Sequence, residues 1–77
     1  MKSIKVHLDT IDKVKEFVNV VSICDGEFDL SSGRYVVDAK SIMGIFSLDL
    51  SKTLTLNVHD DAVADRIMPQ LKNFEVQ

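Results

Sequence analysis

The sequence predicts an α+β fold with the element order β-α-β-β-α-β-α, an open-faced sandwich whose sheet is wet on one side and covered by helices on the other. Three observations carry this expectation. Four short segments alternate apolar and polar residues with the period of a half-buried strand. Segments with apolar residues at spacings of three and four separate them, as in amphipathic helices. The turn signals fall between these segments and not inside them.

Ile4, Val6 and Leu8 alternate with Lys5 and His7 and form the first strand. Asp9-Thr10 supplies a helix start, because a short side-chain oxygen can accept from an orphan backbone N–H. Ile11, Val14, Phe17, Val18 and Val21 then form one apolar stripe, with Asp12, Lys13, Lys15, Glu16 and Asn19 on the opposite face. Cys24 falls at the end of this helix or just beyond, and Asp25-Gly26 marks the exit. Glu27 to Leu30 and Tyr35 to Ala39 alternate again around Ser31-Ser32-Gly33-Arg34, which reads as a β-hairpin with Gly33 free to take a positive φ. Ser41 is placed to cap a short helix through Phe46, weakened by Gly44. Leu54, Leu56 and Val58 make the fourth strand, ending at His59 beside Asp60 and Asp61. A last helix opens at Asp60-Asp61 and turns Val63, Ile67, Leu71 and Phe74 inward, with Pro69 kinking it or shortening its regular part.

Composition narrows the function classes. The chain has 77 residues, enough for one domain spanning 1–77 without a linker or internal repeat. The hydrophobic share is 45% and the charged share 27%, as in globular proteins and unlike disordered or low-complexity chains. Nine basic against twelve acidic residues give a net charge of −3, which argues against a nucleic-acid binder or a polybasic membrane anchor. No apolar run is long enough to span a bilayer, and no signal peptide is visible behind Lys2 and Lys5. The one cysteine, Cys24, allows no internal disulfide, so a reducing, cytoplasmic setting is expected. His7, His59 and Cys24 are isolated from one another in sequence, so neither a metal nor another cofactor is expected.

Val37-Asp38-Ala39-Lys40-Ser41-Ile42-Met43-Gly44-Ile45-Phe46-Ser47-Leu48 resembles the central motif of HPr, the small phosphocarrier of the bacterial phosphoenolpyruvate–sugar phosphotransferase system. In that family Lys-Ser-Ile/Leu-Met/Leu-Gly followed by Ser-Leu marks the second helix. The resemblance extends over nearly the whole chain, is strongest from Gly33 to Val58, and is weak before Asp25. It implies an HPr-like open-faced β-sandwich, with a four-stranded antiparallel sheet and three helices on one face.

The family's carrier motif, Gly-(Ile/Leu)-His-Ala-Arg-Pro at the start of the first helix, is absent. The matching segment reads Leu8-Asp9-Thr10-Ile11-Asp12-Lys13 and is about three residues shorter. An imidazole is a nucleophile near neutral pH and an arginine can hold phosphoryl oxygens, whereas Thr10 offers a weakly acidic hydroxyl and Asp9 and Asp12 repel an incoming dianion. No histidine phosphotransfer, and hence no enzymatic role, is expected from Asp9, Thr10, Ile11 and Asp12. The alternative is a phosphocarrier in sugar uptake that uses a non-standard acceptor, with His7 or His59 as the substitutes; both are expected to face solvent.

Ser41 matches the family's regulatory serine, which a dedicated kinase phosphorylates. A phosphate there would meet the unpaired amides of a helix start and change the local charge by about −2. Capping the helix is the plainer use of the same residue. By the same resemblance Ile42, Met43 and Phe46 belong to a partner-binding surface, with Lys40 beside them; the plainer alternative is core packing of Ile45 and one other of these residues. The expected partners are proteins of the phosphotransferase or catabolite-regulation system and an HPr-type serine kinase.

Overall fold

The computed structural model describes residues 2–76. The elements are β1 (Lys2–Val6), α1 (Ile11–Ser22), β2 (Phe28–Ser32), β3 (Tyr35–Asp38), α2 (Ile42–Phe46), β4 (Leu54–Val58) and α3 (Asp61–Ile67), followed by a 3₁₀ turn (Met68–Leu71). The strands form one antiparallel sheet in the order β1-β4-β2-β3. This is the α+β architecture expected from the sequence, a four-stranded antiparallel sheet with three helices.

The register explains the alternation. Ile4 lies opposite Leu56 and Val6 opposite Leu54, while Leu30 lies between Leu56 and Val37. These side chains share the helix-covered face, where Val6, Leu30, Leu54, Leu56 and Val58 are fully buried. Ser3, Lys5, Thr55, Asn57, Asp29 and Ser31 occupy the opposite face. There Ser3 Oγ donates to Asn57 Oδ1 at 2.7 Å and Lys5 Nζ to Thr55 Oγ1 at 3.1 Å. Such cross-strand polar pairs add little stability, but they make water a tolerable neighbour for that face.

Helix α1 buries Val14, Phe17 and Val21 against the sheet. Phe17 meets Phe74 edge-to-face, with centroids 5.7 Å apart and planes at 88°. Each buried ring stabilises the fold by about 1.5–3 kcal/mol through area alone. Ile11 departs from the predicted stripe: it is 61% exposed, whereas Val14, Phe17 and Val21 are buried.

Pro69 acts where expected. The regular helix ends at Ile67 and the chain continues as a 3₁₀ turn with Pro69 in its first turn. The expected apolar set of this region, Val63, Ile67, Leu71 and Phe74, is buried.

Three details differ from the sequence reading. Ser31 and Ser32 are strand residues, so the hairpin loop is only Gly33-Arg34; Gly33 takes φ +59° at its first position, and Arg34 has no positive φ. His7 lies past the end of β1, half-buried, with its N–H donating to the Phe74 carbonyl at 2.8 Å. The segment after Phe74 returns along β1: Val76 N–H donates to the Lys5 carbonyl at 2.9 Å, and Glu75 bridges to Val6.

Candidate functional site

The start of α1 is a capped, acid-flanked turn. Thr10 is extended (φ −129°, ψ 157°), and its hydroxyl accepts from the Lys13 N–H at 3.1 Å. The helix therefore satisfies one of its own orphan donors with the side chain that occupies this position. Asp9 Oδ1 sits 3.2 Å from Lys13 Nζ, and the hydrogen bond from Lys13, reinforced by its charge, holds the Asp9 carboxyl below the ordinary aspartate value. Lys13 is thus tied to a carboxylate one turn back, and Asp12 stands in the first turn beside the exposed Ile11. A carboxylate pair around a threonine cap opposes a phosphoryl dianion in charge and offers it no imidazole.

Neither histidine is at that turn's first positions. His59 follows β4, and its Nε2 lies 2.6 Å from Asp29 Oδ2. Its partner is thus across the sheet on β2, and not the adjacent Asp60 or Asp61; Asp60 instead caps α3 through the Ala62 and Val63 amides. Asp29 in turn lies directly opposite Asp38 on β3. Like charges at facing positions destabilise a sheet. Here each carboxylate has a donor of its own, His59 for Asp29 and the Lys40 N–H, at 2.9 Å, for Asp38.

Helix α2 is built from the turn that follows. Ser41 N–H donates to the Asp38 carbonyl at 3.0 Å, which turns the chain away from the sheet. Ser41 is extended (φ −99°, ψ 107°), and its hydroxyl accepts from the Gly44 N–H at 3.1 Å. Ser47 closes the other end, with its N–H donating to the Gly44 and Ile45 carbonyls. Within these five helical residues the apolar side chains divide. Ile45 is fully buried and Ile42 is half-buried against the core, whereas Met43 is 76% and Phe46 40% exposed.

Lys40 belongs to the fold more than to the surface. Its Nζ donates to the Cys24 carbonyl at 2.8 Å and lies 5.3 Å from the Phe28 ring centroid. The side chain thereby ties the exit of α1 to the sheet and spends its charge inward, on a carbonyl and a ring face. Cys24 itself is half-buried, and its thiol reaches the Val20 carbonyl at 3.8 Å. Sequence spacing gave no sign of the Lys40–Cys24 tie or of the His59–Asp29 pair, because both join residues from different elements. Among the described residues no cluster of three metal-ligating side chains occurs, and no helix is long and apolar enough to cross a membrane.

No family model and no curated protein sequence matches the chain. Among solved structures it is similar to the crystal structure of HPr-C-His from Thermoanaerobacter tengcongensis, with 26% sequence identity, a TM-score of 0.74, and coverage of 92% of this chain and 90% of that one.

Proposed function

We propose that this protein is a divergent, cytoplasmic HPr-like member of the phosphotransferase system, a single domain over 1–77 that regulates or docks and does not carry phosphate on histidine. The exposure of Met43 and Phe46 on the helix capped by Ser41 is the observation that carries this reading. An exposed methionine adapts to varied partners, and an apolar patch in water marks a contact site. The contact group narrows to Met43 and Phe46, with Ile42 contributing its exposed edge and Lys40 setting the turn beneath.

The missing carrier is the other half of the reading. Thr10 is occupied as a cap, Asp9 and Asp12 flank it, and the 26% identity with the solved HPr structure leaves room for such a departure. Phosphorylation of Ser41 would place about −2 charges beside Met43 and Phe46, at amides that already favour a negative oxygen. That gives a switch for protein partners of the phosphotransferase or catabolite-regulation system without unfolding α2.

Incubation with an HPr-type serine kinase and ATP tests the regulatory half. One phosphate on Ser41, lost in Ser41→Ala, is expected. Absence of the modification with a kinase active on its own HPr would remove Ser41 as a switch.

A further inference from the structure

The sheet has two edges, and they are treated differently. The outer edge of β1 is covered by the returning chain end through the His7–Phe74 and Val76–Lys5 hydrogen bonds. It also carries Lys2 and Lys5, and lysines discourage pairing. Among the described residues the outer edge of β3 has no strand beyond it, and β3 carries neither lysine nor proline. Instead it presents Tyr35, 73% exposed, and Val36, 61% exposed.

Ladder phase fixes which groups that edge offers. Ser32 and Tyr35 flank the two-residue loop and bond to each other, and Ala39 N–H donates to the Phe28 carbonyl at 3.0 Å. Residues 35, 37 and 39 therefore turn their backbone groups toward β2, and alternation turns those of Val36 outward. The flanking charges are opposite: Arg34 lies two residues before Val36 and Asp38 two residues after. Arg34 makes no ion pair among the described residues. Asp38 uses Oδ1 for the Lys40 amide, which leaves Oδ2 for a second partner.

We infer that β3 is a self-pairing edge, on which a second copy of this chain docks antiparallel about a two-fold axis through Val36. In this register Val36 exchanges N–H···O=C bonds with its counterpart, each Tyr35 covers the other copy's Val37, and each Arg34 faces the other copy's Asp38. The strand is thus self-complementary in charge, as an isologous interface requires. Moving the axis to Tyr35 would set Arg34 opposite Val36, and moving it to Val37 would set Asp38 opposite Val36, so neither register brings Arg34 to Asp38. Moving it to Arg34 or Asp38 would stack like charges, and parallel pairing would set Arg34 on Arg34. The occupant is a second copy because the end charges match their own inverse. The contact is short, so the association is concentration-dependent and reversible.

Sedimentation of the full chain from low-micromolar to near-millimolar concentration tests the inference. The mass should rise from one chain toward two, and the amide of Val36 should gain protection from hydrogen exchange over the same range. Val36→Lys and Arg34→Asp should each move the midpoint upward by about tenfold or more, and Arg34→Asp combined with Asp38→Arg should restore it. A single-chain mass at the highest concentration would overturn the inference. So would dimerisation of Val36→Lys at the wild-type midpoint, or a Val36 amide whose exchange does not change with concentration. The exchange measurement needs no variant and so stands even where a substitution unfolds the strand.

Discussion

The Ser41 hydroxyl lies 3.1 Å from the Gly44 amide nitrogen, so the residue that a kinase would modify is also the residue that starts α2. Removing the oxygen should cost the cap, about 1 kcal/mol. Ser41→Ala is expected to lower stability by that amount in urea denaturation. Ser41→Asp keeps an acceptor at the same place and should stay within about 0.5 kcal/mol of wild type, since Asp caps as well as Ser. Loss of the fold in Ser41→Asp would mean that a charge cannot be tolerated there.

Gly44 is held by close approach. A Cβ at that position would sit 3.2 Å from Ser41 Oγ and 3.3 Å from Val37 Cβ, one in the cap and one on β3. In an exposed helix, Gly→Ala adds about 1 kcal/mol of stability. Here Gly44→Ala should yield none of that gain, because Val37 Cβ is attached directly to backbone and Ser41 Oγ is held in place by the cap hydrogen bond. A variant more stable than wild type by the full propensity difference would show that β3 and α2 separate easily.

Lys40 predicts a stability effect in place of a binding one. Lys40→Met keeps the stem over Phe28 but removes the donor to the Cys24 carbonyl and the cation over the ring. A loss of about 1 kcal/mol is expected, given that the side chain is only half-buried. The denaturation slope should be unchanged. Unaltered stability with weakened partner binding would return Lys40 to the contact surface.

Acid should loosen the start of α1. The Lys13 hydrogen bond and charge hold Asp9 below its ordinary value of 3.8, so the folded state binds its proton less readily than the unfolded chain does. The stability this contributes is complete above the ordinary aspartate range and disappears as pH falls through the depressed value. Asp49 follows the same rule through the Ser51 hydroxyl and amide. Below about pH 4 the stability curve of Asp9→Asn should therefore be flatter than that of wild type, the two converging in acid. Parallel curves would mean that the Asp9–Lys13 pair does not outlast solvent screening.

Much of the fold was legible because the apolar positions of β1, β4 and α3 follow periods that burial enforces: Leu54, Leu56 and Val58 are inward as alternation requires, and Pro69 ends α3 at Ile67 as its missing N–H requires. The Ser41 cap was legible for the same local reason. The rest depended on contacts between distant segments. Nothing in the spacing of Phe74 to Val76 announced a return along β1, and Ser31-Ser32 read as loop because serine is common in turns, although β4 pairs with Ser31. His59 has acidic neighbours in sequence, yet the sheet register gives it Asp29. The split of α2 into the buried Ile45, the half-buried Ile42 and the exposed Met43 and Phe46 needed the helix orientation, which five residues do not specify.

The proposed function requires that α2 docks partners and that the start of α1 accepts no phosphoryl group. Incubation with Enzyme I and radiolabelled phosphoenolpyruvate tests this most directly, with an ordinary HPr as the positive control. The account predicts that the control takes up acid-labile label and this protein takes up none. Acid-labile phosphate on this chain, lost on His7→Ala or His59→Ala, would contradict it.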